Sequence, residues 1–431
     1  MVLIFALVIN LLIFLLPSPA FAVPNVLQMG ASISTISGQL NITAPYATYS
    51  GQLQILGSRD ASQLVIKRYA GQTNPIILVN NSDNNELFRI NSAPDNTNFF
   101  AGYQAGLNNS GTYNTGFGTS TLASSTGNAN TAVGYNALTA NTSAGSNTAF
   151  GYNTLATNTT GDKNSAFGRD ALTANTSGID NNAFGYRALF SNTTGNYNDA
   201  FGFAALYNNT TGADNAAFGY YALSANTTGN YNSAFGLEAL QYNTTGYSNS
   251  AFGLQAARNN TTGLYNTAIG YGALYSNTGD NHNTAVGFNA LYNQNNSEHE
   301  QNTAVGSETL FSNTTGYYNT AVGRSALTAN TTGQRNTALG NLALNSNTTA
   351  AYNTALGAQT LPSTTGEQNT GAGIYPLYSN TTGAYNTAIG ISPLYNNVTG
   401  NYNVAIGYGA GPPAGSTNLS NTAAFDTHPA P

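Results

Sequence analysis

Apolar and polar positions recur along most of the chain with a period that fits neither an amphipathic helix nor a long alternating strand. From about residue 98 nearly every unit carries a small residue, a large apolar residue and a glycine, followed by Leu four residues later. Residues 202–218, GFAALYNNTTGADNAAF, show the unit cleanly. Its two apolar clusters are too brief for helices and flank the turn sequence Asn-Thr-Thr-Gly, so the pattern predicts short strands and tight turns.

The glycine after each small and apolar pair, called the anchor glycine below, recurs 19 times between Gly102 and Gly407. Of its 18 spacings, 14 are 17 residues, three are 16 and one is 19, so the period is structural rather than compositional. We therefore expect an all-β fold, a parallel β-roll or β-solenoid of about 19 coils. At ~4.8 Å per coil the array would be roughly 85 to 90 Å long.

Four segments follow from these patterns. Residues 1–22 hold an apolar run and an A-x-A site at Ala20 and Ala22, which predicts a secretory signal peptide, with an uncleaved anchor as the alternative. Residues 23–95 lack the period and are predicted to form a β-rich cap or linker. Its runs at 63–69, 75–79 and 86–91 predict a small β-meander. Residues 96–411 are the array and 412–431 a polar tail, and neither a coiled-coil stalk nor a membrane anchor is recognised.

Asn stands four residues before the anchor glycine in 19 of 19 copies. Equivalent positions of a solenoid stack about 4.8 Å apart, so identical amides can pass hydrogen bonds from coil to coil. We predict a structural ladder here and regard ligand binding by these amides as the weaker alternative. Representative ladder residues are Asn198, Asn215, Asn232, Asn249 and Asn266.

The apolar pairs predict self-association. Adjacent residues of a strand point to opposite faces, so the large residue after each Ala needs a second buried surface, which another copy of the chain would supply. Charged residues make up only 6% and the net charge is −6, which fits neither a nucleic-acid binder nor a polybasic membrane patch. The chain has 28 Tyr and no Cys, so we expect an ordered array without disulfides.

No constellation of residues predicts catalysis. The three histidines are far apart in sequence, and the glycines do not continue into a P-loop or dinucleotide motif. We expect no enzyme activity, no cofactor and no metal site. Ser-Glu-His-Glu at 297–300, within the 19-residue unit, could hold a cation, but a solvated bulge is the favoured interpretation.

Two surface features compete for a functional role. Tyrosines five residues before the anchor glycine could form a stripe that binds glycans or proteins, or could simply stiffen a fibre by stacking. Candidate binding residues are Tyr197, Tyr231, Tyr265 and Tyr318. Asn-x-Thr/Ser sequons recur seven residues after the glycine, either as glycosylation sites or, preferably, as turn residues. Examples are Asn192, Asn209, Asn226, Asn243 and Asn260.

The sequences Asn-Thr-Ala-Val-Gly at 283–287 and Asn-Thr-Ala-Ile-Gly at 266–270 resemble the repeat core of the YadA-like head of trimeric autotransporter adhesins. The resemblance covers roughly residues 98–411. It implies a homotrimer of left-handed parallel β-rolls that binds extracellular matrix or host surfaces. Similar repeats occur in viral and phage tail-fibre-like proteins. The unit here is longer than the usual head repeat by the Asn-Thr-Thr-Gly turn.

The sequence thus predicts a secreted or surface-exposed, non-enzymatic adhesin-like fibre that attaches by multivalent contacts. Its expected partners are two further copies of itself and a host-surface, matrix or glycan receptor, without nucleic acid. The first alternative is an architectural extracellular filament or a tail-fibre-like subunit. A further alternative is an ice- or glycan-binding solenoid.

Overall fold

A computed structural model describes residues 77–80, 86–91, 97–295, 301–411, 418 and 420–426. Within those residues all regular structure is β, and no helix long and apolar enough to cross a membrane is present. The strands in chain order are β1 Ile77–Asn80, β2 Glu86–Asn91, β3 Phe99–Ala101, β4 Thr115–Phe117, β5 Thr131–Val133, β6 Thr148–Phe150, β7 Ser165–Phe167, β8 Asn182–Phe184, β9 Asp199–Phe201, β10 Ala216–Phe218, β11 Ser233–Phe235, β12 Ser250–Phe252, β13 Thr267–Ile269, β14 Thr284–Val286, β15 Thr303–Val305, β16 Thr320–Val322, β17 Thr337–Leu339, β18 Thr354–Leu356, β19 Thr370–Ile374, β20 Thr387–Ile391, β21 Val404–Ile406 and β22 Ala423–Phe425.

From β3 to β22 each strand pairs in parallel with the next, and equivalent residues of successive repeats lie side by side. In β10 and β11, for example, Ala217 pairs with Ala234 and Phe218 with Phe235. This register confirms the all-β parallel solenoid with a period of 17 residues. Since the repeats are nearly identical in length, equivalent positions of successive coils lie at the same point of the cross-section.

The two ends of the sheet differ. β1 and β2 pair antiparallel, and β2 lies antiparallel to β3, so the first coil is extended by a strand pair that does not follow the repeat. These strands coincide with two of the three runs predicted as a meander. The third run, 63–69, and the predicted signal peptide lie outside the described residues. At the other end, β22 falls within the predicted polar tail, where Thr422 replaces the ladder Asn and its backbone N–H donates to Asn403 Oδ1 at 3.0 Å.

Each coil contains one strand, which corrects the expectation that both apolar clusters would be strands. In the second cluster Ala204 and Leu206 have φ of 52°, a left-handed conformation that L residues adopt at a cost of about 1 to 2 kcal/mol each. Backbone hydrogen bonds between neighbouring coils nevertheless continue through this second cluster. Leu206 N–H donates to Ala222 O and Tyr221 N–H to Phe203 O, each at 3.0 Å. Stacking between coils therefore holds a segment that is strained by itself.

The interior of the array is a narrow apolar column. Ala two residues before the anchor glycine, and Ala and Leu three and four residues after it, are fully buried, as at Ala200, Ala205 and Leu206. The first coil fills this interior with different residues. Phe100 takes the place of the strand Ala and fills the space left by Gly106, which stands where most other coils carry Leu. The summed volume of the core is thus kept from coil to coil.

The anchor glycine is required by close approach of neighbouring coils. Gly219 has φ of 147°, and a Cβ at this position would overlap the carbonyl oxygen of Gly236 in the next coil. Both the backbone conformation and the contact exclude a side chain.

Candidate functional site

The predicted Asn ladder lies in one buried column, called here the first Asn column. In Asn215 the backbone N–H and Nδ2 donate to Asn198 Oδ1 at 3.2 and 3.1 Å, and Nδ2 also donates to Gly229 O at 2.9 Å. Bonds from the backbone N–H to the preceding Oδ1 recur throughout the array, whereas Nδ2 reaches the neighbouring Oδ1 in only some coils. The side chains of this column therefore act mainly as acceptors for the backbone N–H groups of the next coil.

A second Asn column, missed as such from the sequence, is formed by the sequon residues. Asn209 is fully buried, and its Nδ2 donates to Asn192 Oδ1 and to Gly212 O, both at 2.9 Å. Gly212 O also accepts from Asn198 Nδ2 at 2.9 Å, so the two columns converge on one turn carbonyl. The signal was available, because nearly every sequon Asn follows a buried Leu by three residues, with Ala257 before Asn260 as an exception.

This burial bears directly on glycosylation. The five sequon residues chosen as examples all have zero exposure, and their Nδ2 atoms donate to the preceding coil and to their own turn, namely Asn192, Asn209, Asn226, Asn243 and Asn260. A glycan would have to occupy this same nitrogen. The stacked coil has no room for it and would lose a buried hydrogen bond, so the geometry favours the structural role.

Two of the three 16-residue units keep the second Asn column by changing residue type, whereas the first keeps Asn109. In those two units the position is Ser125 or Thr364, and the turn glycine follows two residues later instead of three. Asn141 Nδ2 donates to Ser125 Oγ at 2.7 Å, and Asn380 Nδ2 to Thr364 Oγ1 at 3.1 Å. The shorter hydroxyl side chain fits the shorter turn, so the ladder is continued across it.

The candidate tyrosines are exposed, with relative exposures from 43% to 63%, but they do not form one continuous stack. Asp214 lies between Tyr197 and Tyr231 at the same coil position. Tyr265 stacks on His282 at 4.9 Å and meets Tyr247 edge-on at 5.2 Å. A hydrogen bond with Tyr265 raises the pKa of Tyr247. These rings are therefore separate surface features.

A continuous apolar surface runs elsewhere, along the outward position of the strands. We call it the outer stripe, and it consists of the residue just before each anchor glycine. From Phe150 to Phe252 seven phenylalanines stack with ring centroids 4.6 to 5.4 Å apart. From Ile269 to Ile406 the stripe continues mainly with Ile, Val and Leu. Its residues are partly or largely exposed, as Phe150 and Val322 illustrate, although they are apolar.

Residues two positions earlier on the same strand face change together with the stripe. Six of its eight phenylalanines are preceded at that position by Ser, Asn, Asp or Ala, whereas eight of its nine Ile, Val or Leu residues are preceded by Thr. In β3 the order is reversed, with Phe99 at the outer position and Ala101 in the stripe. Large and small side chains thus alternate between two neighbouring columns, which limits variation in the summed volume of this face.

A third surface feature, called here the ring column, consists of the residues just after six consecutive anchor glycines, from Tyr135 to Tyr220. Tyr135 stacks on Tyr152 at 5.2 Å. The guanidinium of Arg169 lies 5.6 Å from the Tyr152 ring centroid and 5.8 Å from that of Tyr186. The column continues through Phe203, with two further ring distances of 5.1 Å.

The described residues hold few charged groups. Glu238 Oε2 accepts from Arg258 Nε at 2.8 Å and from Gln255 Nε2 at 2.9 Å. The hydrogen bond from Gln255, followed by the hydrogen bond and charge of Arg258, holds the pKa of Glu238 below its usual value against the effect of burial. In the described part of the chain no group of three or more His, Asp or Glu side chains is placed to hold a metal ion, and 297–300 lies outside it.

The paired threonines of the turn are not equivalent. Thr210 Oγ1 donates to Thr227 O at 3.0 Å, and this pattern repeats along the array, so the first Thr of each pair serves the stacking. Thr211 and its equivalents are exposed. The turn thus presents one row of exposed Thr beside a row already bonded to the backbone.

No family model matches this chain, and no curated protein matches it.

Proposed function

We propose that the protein is a secreted or surface-exposed attachment fibre that assembles as a homotrimer by burying the outer stripe. The observation that carries the proposal is a continuous row of exposed apolar side chains along a rigid stack of about 19 coils. Contiguous apolar patches of this kind are rare on monomeric proteins and mark interaction surfaces. Three copies of one surface would cover each other's stripes around a common axis.

The paired change of residues beside the stripe supports a packed partner. A face open to water places no limit on side-chain volume, whereas a face packed at protein density does. Phe201 with Asp199, and Val305 with Thr303, are two ways of filling a gap of similar width. Because neighbouring coils are in register, a second copy of the same chain would present a surface of matching period.

The attachment role rests on two further points. Outside the outer stripe and the ring column the described surface is mainly polar, weakly charged and repeated many times, which suits many weak contacts acting together. The repeat core resembles that of the YadA-like heads, whose role is adhesion.

The assembly is tested by light scattering and small-angle scattering of the purified mature protein. We expect three times the mass of one chain and a rod-like profile. Phe201→Ser with Phe218→Ser should lower the mass toward that of one chain while β-sheet circular dichroism is kept. A control pair, Tyr197→Ser with Tyr231→Ser, removes exposed rings outside the stripe and should leave the mass unchanged. A monomeric wild-type rod would overturn the trimer.

Attachment itself is tested by retention of fluorescent beads on matrix-coated and cell surfaces. Beads carrying the wild-type protein should be retained at shear that removes bare beads, and beads carrying the Phe201→Ser, Phe218→Ser pair should be retained less because fewer copies act together. Equal retention of bare and coated beads on every surface would contradict the attachment role. Thermal hysteresis with the same sample would instead support ice binding by the exposed Thr row.

A further inference from the structure

We propose that the ring column binds a linear, uronate-bearing polysaccharide, laid along the array with its sugar rings over successive coils. The proposal names a ligand for the attachment role and rests on that role for its biological meaning. Its physical basis is separate, because it lies in another row of residues than the outer stripe.

The ring column offers a platform for sugar rings. Tyr135, Tyr152, Phe203 and Tyr220 are each between 39% and 47% exposed, and neighbouring ring centroids lie 5.1 to 5.2 Å apart. Neighbouring rings stack on one another with interplanar angles of 11° to 23°, so the surface along the column consists mainly of ring edges and tyrosine hydroxyl groups, which can contact the C–H groups and hydroxyls of pyranose rings. A row of rings spaced by the coil period repeats at a distance close to that of one sugar unit in an extended chain.

A shallow trough lies along part of the ring column. It has a volume of about 280 Å³ and is lined by Tyr186, Arg187, Phe203, Ala204, Tyr207 and Tyr221. Phe190 and Tyr207, which stack at 5.2 Å, extend one of its sides along the coil direction. Rings on both sides of a shallow trough suit an extended chain better than a compact ligand, because the trough is open.

Charge selects the kind of polysaccharide. The chain has only ten Lys and Arg among its 431 residues, yet Arg169 and Arg187 lie in adjacent coils at this site. Asp170 approaches both, at 3.3 and 3.7 Å, so the three groups together carry one net positive charge. Both guanidinium side chains are partly open to solvent, with exposures of 62% and 37%. Arginine binds carboxylates in planar geometry, which favours a uronate over a neutral sugar.

Stacked rings recur at the same coil position in Tyr271 and Phe288, at 5.5 Å, but no arginine adjoins them in that column. In four successive coils of the C-terminal half the position is occupied by Ser307, Arg324, Asn341 and Ala358. Arg324 is therefore equivalent to Arg169 in the repeat and is exposed, but its neighbours in the column are not aromatic. Arg324 therefore serves as a control for Arg169 within the same chain.

The experiment is isothermal titration of the full-length protein with hexasaccharides of polygalacturonate and of hyaluronate, with maltohexaose as the neutral probe. We expect binding of at least one acidic probe and none of maltohexaose. Arg169→Gln should weaken that binding about tenfold, and Tyr186→Ala with Phe203→Ala should abolish it. Arg324→Gln removes the same charge from the same coil position and should leave affinity unchanged.

Absence of binding by both acidic probes would overturn the proposal, as would equal binding of maltohexaose. An equal loss in Arg169→Gln and Arg324→Gln would also overturn it, because binding would then follow net charge rather than this site. The mass of each sample by light scattering separates the two proposals. Saccharide binding by a monomer would leave this inference standing while the trimer fails, and a trimer that binds no saccharide would do the reverse.

Discussion

The N-terminal and C-terminal halves of the array have the same interior but different exteriors. Around Phe201 and around Val322 the buried positions carry the same Ala, Leu, Asn and Gly residues, and the strands keep the same parallel register. Outside, the first half has stacked Phe in the outer stripe and the ring column just after the anchor glycine. The second half has mainly aliphatic residues in the outer stripe and, just after the glycine, Tyr271 and Phe288 followed by Ser, Arg, Asn and Ala. The buried residues therefore maintain the conformation of the coil, whereas the exposed residues can vary and determine which partner or ligand the coil binds.

The difference follows from where the hydrogen bonds are made. Most side chains of the two Asn columns bond to a neighbouring coil, so a change at one level affects the next, as in Asn215 and Asn209. Outward side chains have water as an alternative partner. Changes inside should therefore cost stability, and changes outside should alter association or binding.

Gly219→Ala should produce the largest effect. The new Cβ would overlap Gly236 O and require an L residue at φ of 147°, which together cost about 3 kcal/mol or more. Gly409→Ala is the control, because Gly409 has φ of 63° but no atom within 4 Å of the added Cβ. Thermal unfolding followed by circular dichroism would measure both. Equal melting temperatures for the two variants would show that coil contact is not the reason for the glycine.

Asn215→Ala should destabilise the array by about 1 to 3 kcal/mol, because the buried backbone N–H of Asn232 loses its acceptor at 3.0 Å. Asn208→Ala is the exterior control, since this residue of the adjacent turn is exposed. Hydrogen exchange of the Asn232 amide gives a local measurement. Wild-type protection of that amide in Asn215→Ala would contradict the ladder.

Phe218→Leu sharpens the comparison of the two exteriors. The substitution removes ring stacking on Phe201 and Phe235, each at 4.7 Å, and should cost about 1 kcal/mol. In the aliphatic half, Leu339→Ile changes shape without any stacking to lose and should cost less. Chemical denaturation of both variants at a fixed oligomeric state would compare them. A larger effect at Leu339 would mean that stacking does not stabilise the Phe segment.

Glu238→Gln should have the smallest effect, and it should depend on pH. Because the pKa of Glu238 is lowered in the folded protein, its contribution is present above the unfolded value of 4.5 and is lost as the pH falls through the folded value. The stability difference between wild type and variant should be below about 1 kcal/mol at pH 7 and vanish at low pH. Glu308→Gln, at the same coil position and without an ion pair to a described residue, should show no such trend. A difference that grows as the pH falls would contradict the sign.

The repeat pattern alone was enough to predict the parallel solenoid, its period and the outward direction of the large strand residue. Regular recurrence of glycine and Asn implies regular stacking, and adjacent residues of a strand must face opposite ways. The sequence places the second Asn column at the turn surface, because Asn-Thr-Thr-Gly favours a turn whatever surrounds it. Its burial depends on left-handed residues such as Leu206, whose conformation is set by the neighbouring coils.

The surface features also divide into those that the sequence predicts and those that depend on the tertiary structure. The sequence by itself determined which residue types recur, and hence that one side of each strand is apolar and needs cover. Only the tertiary structure decided which recurring residues meet. It stacked the Phe residues before the glycine, left Tyr197 and Tyr231 apart, and brought Arg169 between two rings. The physical reason is that a period fixes spacing along the chain, whereas contact between coils depends on the direction in which each backbone position projects its side chain.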